Sequence, residues 1–564
     1  MNLKLSTHWR IYFLFGLFVV AGSGIAVRLF YLQVVHNTYY AALAQGQHAS
    51  FNEKAPERGR IYLQDLLATS PPNSLADKKN LPYFYAAINE NKPMVYASPN
   101  MITNDGDVAE ILAPILGLER NALQQKLSDS SGSYLPLARQ VSDEIAQRVR
   151  EENIRGIFVT IEPVRRYPGG QLASHVLGFL GYKGDQRVGQ YGIEGYYDGQ
   201  LRGSQGAFKN EQGSDIELTI DYNIQYFVEK KLHEVISKWS ADAGSVIIMD
   251  PKTGEIKAMA GVPAFDLNTY SQVDSLDIYL NQATQKVYEP GSIMKPLTMA
   301  AAIDAGAIKA STTYTDTGEI KTGGYTIRNF DNKNHGVQTM TQVLEKSLNT
   351  GAVFASQQLG KDLFRKYLLA FGLNEKTGID LPGELPGHLG DVITTDRDIN
   401  FATASFGQGI AMSPMNFLTA FSSLANNGGI MKPHVVKAIH RADGTIEEIK
   451  PEKLGTPISA RTAQEVTGML VSVAENGYDK KANVPGYKIA AKTGTAQIPN
   501  ENAPGYSDKR FHSFAGYAPA DKPAFVAIIT MKNPKGINFA SDSLAPVFKD
   551  IASYILHYYQ VPSN

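Results

Sequence analysis

The chain reads as an α+β protein in which an antiparallel sheet packs between helical groups. A membrane-spanning helix and an irregular α+β module precede that domain. Strand-like runs open and close residues 216–564, with helical patterns between them. Strands and helices grouped in this way, instead of alternating, argue against a parallel α/β sheet. Residues 11–27 carry no charge. Residues 58–215 mix short apolar strands with glycine-dense turns.

A chain of 564 residues is long enough for two to four domains. Hydrophobic residues make up 43% and charged residues 19%, as expected of a chain with large buried cores. The net charge of −1 offers no basic face for nucleic acid. The absence of cysteine excludes disulfides, thiolate metal sites and thiol catalysis, and removes any redox clue to compartment.

The first element, "IYFLFGLFVVAGSGIAV", spans roughly 25 Å as a helix, against a hydrocarbon core of about 30 Å. Continuing to residue 35 removes the deficit if Arg28 snorkels to the headgroups. Lys4 and Arg10 precede the span, and apart from Arg28 no charge follows until Glu53. This asymmetry puts residues 1–10 in the cytoplasm, residues 11–35 in the membrane and the rest outside. A cleaved signal peptide fits less well, because apolar sequence continues past "AGSG". A buried core helix fits poorly with the flanking charges.

Residues 36–57 read as a polar, partly helical stalk. In the module at 36–215, "YFYAAI" and "GIFVTI" are strands and residues 138–151 an amphipathic helix. Its turn density predicts no large core of its own, and its glycines at 165–206 read as turns needing positive φ. From residue 216, "IELTID" is a strand and "YNIQYFVEKKLHEVISKW" a helix, and "AGSVIIMDPKTGEIKAMAG" forms a hairpin. Helical patterns follow at 292–305, 340–358, 361–371 and 413–426. Strands "YKIAAKTGTAQI", "FHSFAGYAP" and "AFVAIITMK" and a helix at 543–558 close the chain.

The stretch "YEPGSIMKP" carries the first chemistry. Proline is tolerated only near a helix start, so Pro296 requires the helix to begin at about Ser292. Ser292 and Lys295 then share one face at i and i+3. A serine hydroxyl becomes a useful nucleophile only when a base takes its proton. A lysine serves as that base only when neutral. Lowering its pKa from about 10.4 to about 7 costs on the order of 4–5 kcal/mol. Burial and a nearby cation supply such a shift, so the motif predicts a second positive group close by. Ser-x-x-Lys occurs once in the chain, at Ser292.

Two further elements complete a constellation. Ser347-Leu348-Asn349 brings a hydroxyl and an amide. Lys-Thr-Gly occurs four times, at 252–254, 321–323, 376–378 and 492–494. Only Lys492-Thr493-Gly494, with Thr495 after it, ends an alternating strand and follows the other two elements. Glycine in such a strand lets a substrate backbone approach closely.

In this order the three elements resemble the penicillin-binding transpeptidases, whose serine site has this composition. "RGRI", "YPGGQLASHVLG" and "GIEGYYDGQLRGSQG" resemble the non-catalytic module of the class B, single-anchor members. "LTID", "DPKTGEIKAMA", "YEPGSIMKP", "SLNTG", "FGQGIAMSP" and "KTGTA" resemble the catalytic domain in sequence order. The usual Asp-Arg-Asn-Gly after the Arg-Gly opening is replaced by "YLQDLLATS".

The resemblance implies that Ser292 attacks the carbonyl between the terminal D-alanines of a peptidoglycan stem peptide while Lys295 takes its proton. It gives Ser347 and Asn349 proton relay and amide binding, and Lys492 positive charge. Thr493, Gly494 and Thr495 would bind the substrate, the two threonines meeting its terminal carboxylate or that of a β-lactam. The backbone N–H groups of Ser292 and Thr495 would form an oxyanion hole. No cofactor or metal is implied. β-Lactam antibiotics would be inhibitors, and a membrane-embedded glycan polymerase and other division proteins would be partners. The chain would reside in the bacterial inner membrane with its catalytic domain in the periplasm. The division-specific type, penicillin-binding protein 3, fits best, because proline follows Ser-x-x-Lys and no repeats follow the last helix. An elongation-specific enzyme, a β-lactamase or β-lactam sensor, and an inactive scaffold are the alternatives.

Overall fold

The computed structural model describes residues 6–35, 57–67, 83–130, 132, 134–183, 186–205, 210–477, 480–500 and 505–563. The expected stalk at 36–57 lies almost wholly outside them. Helix α1, Ser6–Phe30, continues into a wider turn at Tyr31–Val35. Within it Ile11–Val34 has a mean hydropathy of 2.0 and is unburied. This is the one helix among the described residues long and apolar enough to cross a membrane.

The folded chain divides into two compact units. The smaller comprises residues 1–58, 89–166 and 203–212. It holds most of strand β1 (Tyr83–Ala97), helices α2 (Asp105–Leu116) and α3 (Arg120–Ser128), strand β2 (Leu135–Ala138), helix α4 (Asp143–Glu151) and strand β3 (Ile157–Arg166). It has a small core of its own, in keeping with the expectation of no large one. Val95, Leu112, Leu123, Leu127, Ala146 and Val149 are buried together. Helix α4 shows why its sequence folds as it does. The Ser142 hydroxyl accepts from Ile145 N at 3.2 Å. Asp143 and Glu144 lie in the first turn and Arg148 and Arg150 in the last, so both ends complement the helix dipole.

The larger unit, residues 59–88, 167–202 and 213–564, takes in the glycine-rich segment that the turn pattern had grouped with the module. That segment turns tightly in order to bury itself. Leu172, Val176, Phe179, Ile193 and Leu201 join the main core, and Gly178 and Gly192 take φ +66° and +42° where their backbones touch. In the departure after the Arg-Gly opening, Asp65 Oδ1 accepts from Asn223 Nδ2 at 2.8 Å.

Strand β4 (Asp215–Asp221) leads into α5 (Tyr222–Lys238), whose first amides are capped by the Asp221 carboxylate. Strands β5 (Ala243–Met249) and β6 (Ile256–Val262) form the expected hairpin. The middle of the chain supplies α6 (Lys295–Asp304), the hairpin β7 (Glu319–Thr322) and β8 (Tyr325–Arg328), α7 (Met340–Glu345), α8 (Asn349–Leu359), α9 (Lys361–Ala370), α10 (Pro414–Ala425) and α11 (Ala460–Asn476). Strands β9 (Ala490–Pro499), β10 (Tyr506–Ala518) and β11 (Phe525–Lys532) and helices α12 (Ala540–Ser543) and α13 (Ala545–Tyr558) close it.

The main sheet runs β6-β5-β11-β10-β9 and is antiparallel throughout. Both faces are covered. Val246 and Ile248 pack with α5 and α13, while Ile247 and Met249 pack with the helices of the middle segment. Neighbouring strand residues point to opposite faces, so a sheet buried on both sides reads as the unbroken apolar run "SVIIM". Strand β9 forms one edge of this sheet.

The single helical pattern at 340–358 proves to be two helices. They are interrupted at residues 346–348, where Ser347 takes φ +55°.

Candidate active site

Gly291 at φ +61° turns the chain into a 3-10 segment, Gly291–Met294, that runs directly into α6. Pro296 occupies the first turn of α6, where its missing N–H has no helical partner to lose. This places Lys295 one turn beyond Ser292 and points it inward. Lys295 is fully buried, and its Nζ lies 3.0 Å from Ser292 Oγ.

The break between α7 and α8 supplies the next contacts. Lys295 Nζ donates to the Ser347 carbonyl at 2.6 Å and lies 3.3 Å from Ser347 Oγ. A residue with a Cβ rarely takes φ +55°, and here that conformation turns both oxygens toward the lysine. Leu348, fully buried, anchors the break. Asn349 opens α8, and its Nδ2 donates to Arg328 O at 2.9 Å.

Strand β9 brings the third element. Lys492 is 2% exposed and donates to Thr493 O at 3.0 Å. A Cβ on Gly494 would stand 2.4 Å from Ser513 Oγ and 2.9 Å from Pro290 O. Only glycine lets the strand lie against the turn that carries Ser292. Thr493 is buried, and Thr495 Oγ1 accepts from Ala540 N at 3.1 Å. The Thr495 hydroxyl keeps its own proton to donate.

Burial, and after it the neighbouring charge of Lys492, hold the Lys295 ammonium well below the ordinary lysine value. The arrangement therefore sets a lysine whose proton is loosened against a serine hydroxyl, beside a second cation. Among the described residues no group of three or more metal-ligating side chains is disposed to hold a metal.

The other Lys-Thr-Gly tripeptides are turns. At 252–254, Lys252 N is held by Asp250 Oδ1 at 2.8 Å and Gly254 takes φ +82°. At 321–323 the tripeptide enters the β7–β8 turn, with Gly323 at φ +56°. At 376–378, Glu384 accepts from Thr377 N and Thr377 Oγ1 at 2.8 and 2.6 Å and from Gly378 N at 3.1 Å.

Two groups escaped the sequence reading. Asn329, which contacts the start of α8, stood in the unremarkable stretch "RNFDNKN". Glu289, just before Pro290, accepts from Tyr506 Oη at 3.0 Å and Gly409 N at 3.1 Å. Burial raises its carboxyl pKa. The carboxylate two residues ahead of Gly291 was visible in the sequence; its partners, drawn from two remote segments, were not.

A family profile described as the penicillin-binding protein transpeptidase domain matches residues 244–553. A second, the penicillin-binding protein dimerisation domain, matches residues 85–217. Stage V sporulation protein D of Bacillus subtilis is 30% identical over 563 residues, covering 95% of this chain and 83% of that protein. Peptidoglycan D,D-transpeptidase FtsI of Buchnera aphidicola is 30% identical over 492 residues, covering 82% of each. The crystal structure of penicillin-binding protein 3 from Mycobacterium tuberculosis, complexed with aztreonam, is 33% identical and superimposes with a TM-score of 0.66. The match covers 72% of this chain and 92% of that one. With an α+β transpeptidase domain, a dimerisation domain ahead of it and one N-terminal apolar helix, the chain belongs to the class B penicillin-binding proteins.

Proposed function

We propose that the chain is a serine D,D-transpeptidase that cross-links peptidoglycan stem peptides through an acyl-enzyme on Ser292. The observation that carries this reading is the buried Lys295 Nζ, 3.0 Å from Ser292 Oγ and depressed by burial and Lys492. The names of the relatives support it, FtsI being a peptidoglycan D,D-transpeptidase.

In this mechanism Lys295 takes the Ser292 proton as Oγ bonds to the carbonyl carbon of the penultimate D-alanine. The backbone N–H groups of Ser292 and Thr495 hold the oxyanion. Loss of one such donor costs about 10²–10³ in rate. The C–N bond breaks, the amine receives a proton through Ser347, and D-alanine leaves. An amine from a neighbouring strand then attacks the ester, forms the cross-link and returns Ser292 to its hydroxyl. Asn349 holds the substrate amide, and Lys492, Thr493 and Thr495 meet the carboxylate. A β-lactam follows the same first step and stays as the ester.

The division role rests on likeness to FtsI and to penicillin-binding protein 3. The N-terminus is cytoplasmic and the catalytic unit periplasmic, on the charge asymmetry around the span. Residues 36–215 have a non-catalytic role, although 59–88 and 167–202 fold with the larger unit, and the span meets a glycan polymerase and other division proteins. An exchanged anchor that still reaches the septum would remove the span from that role. Depletion is expected to give filaments; round cells would point to elongation.

The deciding experiment is mass spectrometry of the chain after exposure to a penicillin, with peptide mapping and a time course. A lasting adduct on Ser292, absent from Ser292→Ala, is the expected result. An adduct that clears within seconds would indicate a β-lactamase, and none at all would leave a scaffold.

A further inference from the structure

The turn carrying Ser347 and Asn349 is held from outside itself. Leu348 gives α8 no side-chain cap. The first amides of α8 are taken instead by Asn329, just beyond the end of β8. Its Oδ1 accepts from Asn349 N at 3.0 Å and Thr350 N at 3.3 Å, and lies 3.1 Å from Thr350 Oγ1. Asn329 is fixed in turn by Asp316, since Nδ2 donates to both carboxylate oxygens, each at 3.0 Å. Asp316 also accepts from Thr350 Oγ1 (2.7 Å), His335 N (3.0 Å) and Gly318 N (3.2 Å). Asn329 is 1% exposed and Asp316 fully buried.

This network admits one orientation of the amide. A flip would set Oδ1 against a carboxylate and Nδ2 against two N–H donors. Burial pushes the Asp316 carboxyl up, but donors from Thr350, Gly318, His335 and Asn329 outweigh it and hold it below the usual carboxylate range. The acceptor is thus an anion, and charge-assisted bonds of this kind are the stronger ones.

We propose that Asn329, oriented by Asp316, is a positioning residue for the reaction: it caps α8 and thereby sets Ser347 and Asn349 against Lys295 and the substrate. The inference rests on the reading of Ser292 as the acylated residue. The route is short. The start of α8 carries buried Leu348, and the residue before it places its carbonyl 2.6 Å from Lys295 Nζ. If α8 moves, Ser347 leaves the lysine and water replaces it.

The test uses the full chain in detergent. The second-order rate of acylation by a fluorescent penicillin is followed across pH, with thermal denaturation alongside. Asn329→Ala is expected to acylate about 10²-fold more slowly, the scale of a misplaced catalytic group. The acid limb of its pH profile should move to higher pH. Among the described residues Lys295 faces one charged group, Lys492, and the neutral Ser292 and Ser347; water at Nζ relieves the burial that depresses it. A residue needed only for folding would lower the denaturation temperature and leave that limb in place. Asn329→Asp covers the case in which the alanine variant does not fold. It still accepts from α8 but sets two carboxylates together, which cannot both ionise at short range. Its rate relative to wild type should therefore fall as pH rises. Acylation by Asn329→Ala within twofold of wild type and with an unmoved limb, or an Asn329→Asp profile parallel to wild type, overturns the proposal. A wild-type chain that takes no penicillin fails at the Ser292 reading, and the inference falls with it.

Discussion

Residues 376–378 and 492–494 spell the same tripeptide in unlike surroundings. In the first, Lys376 is exposed, and Thr377 and Gly378 close onto the Glu384 carboxylate, itself 6% exposed. In the second, Lys492 is buried in an edge strand beside another buried lysine. The two regions bury polar groups by opposite rules. Glu384 is surrounded by donors that satisfy its lone pairs, as a buried polar group must be. The hydrogen-bond partners of Lys295 are all neutral, and the charge acting on it is of its own sign. A turn needs its acceptor satisfied; a base needs its proton loosened.

That contrast breaks most severely at Lys295. Lys295→Met should lose about 10²–10⁴-fold in penicillin acylation, the range of a lost general base, read by fluorescent-penicillin kinetics. It should also flatten the dependence of stability on pH. Between the depressed value of Lys295 and about 10.4 the unfolded chain binds one more proton than the folded chain, so wild-type stability rises with pH across that window. Denaturation midpoints measured across pH should show that rise in wild type and a shallower one in the variant.

Lys492→Met sharpens the comparison at a smaller scale. Without its like charge the Lys295 ammonium is easier to keep, so the acid limb of acylation moves to higher pH. The rate at neutral pH should fall, by less than in Lys295→Met, because burial, the larger cause of the depression, remains. Glu384→Ala belongs to the other region. It leaves the N–H groups of Thr377 and Gly378 without their acceptor, and should cost about 1–3 kcal/mol in denaturant unfolding. Acylation per folded molecule should be unchanged. Lys376→Ala is the smallest effect, within about 0.5 kcal/mol of wild type in stability and with unaltered acylation kinetics. A clear loss of acylation there would erase the distinction between the two tripeptides.

Much of the fold was legible because its rules are local. The hairpin of β5 and β6, the helix start forced by Pro296 and the charge-free span all follow from proline sterics, period and hydropathy within a few residues. The turn-dense segment at 167–202 was less legible, since glycine marks a turn without saying whether it faces water or a core. The helical pattern at 340–358 hid its interruption, because Ser347 is an ordinary helix-surface residue until Lys295 asks for its carbonyl.

Residue order alone established that Ser292 and Lys295 share a face, that such a lysine needs a cation nearby, and that the segment at 11–35 is apolar enough to cross a membrane. Those conclusions use covalent spacing and side-chain chemistry alone. Residue order also singled out Lys492 among four Lys-Thr-Gly tripeptides, from strand pattern and order; the packed fold alone fixed how Ser347 turns to meet Lys295 and that Asn329 and Asp316 hold α8 in place. Depressing a lysine and fixing a cap at hydrogen-bond distance both depend on burial among segments far apart in the chain, and burial is a property of the packed fold.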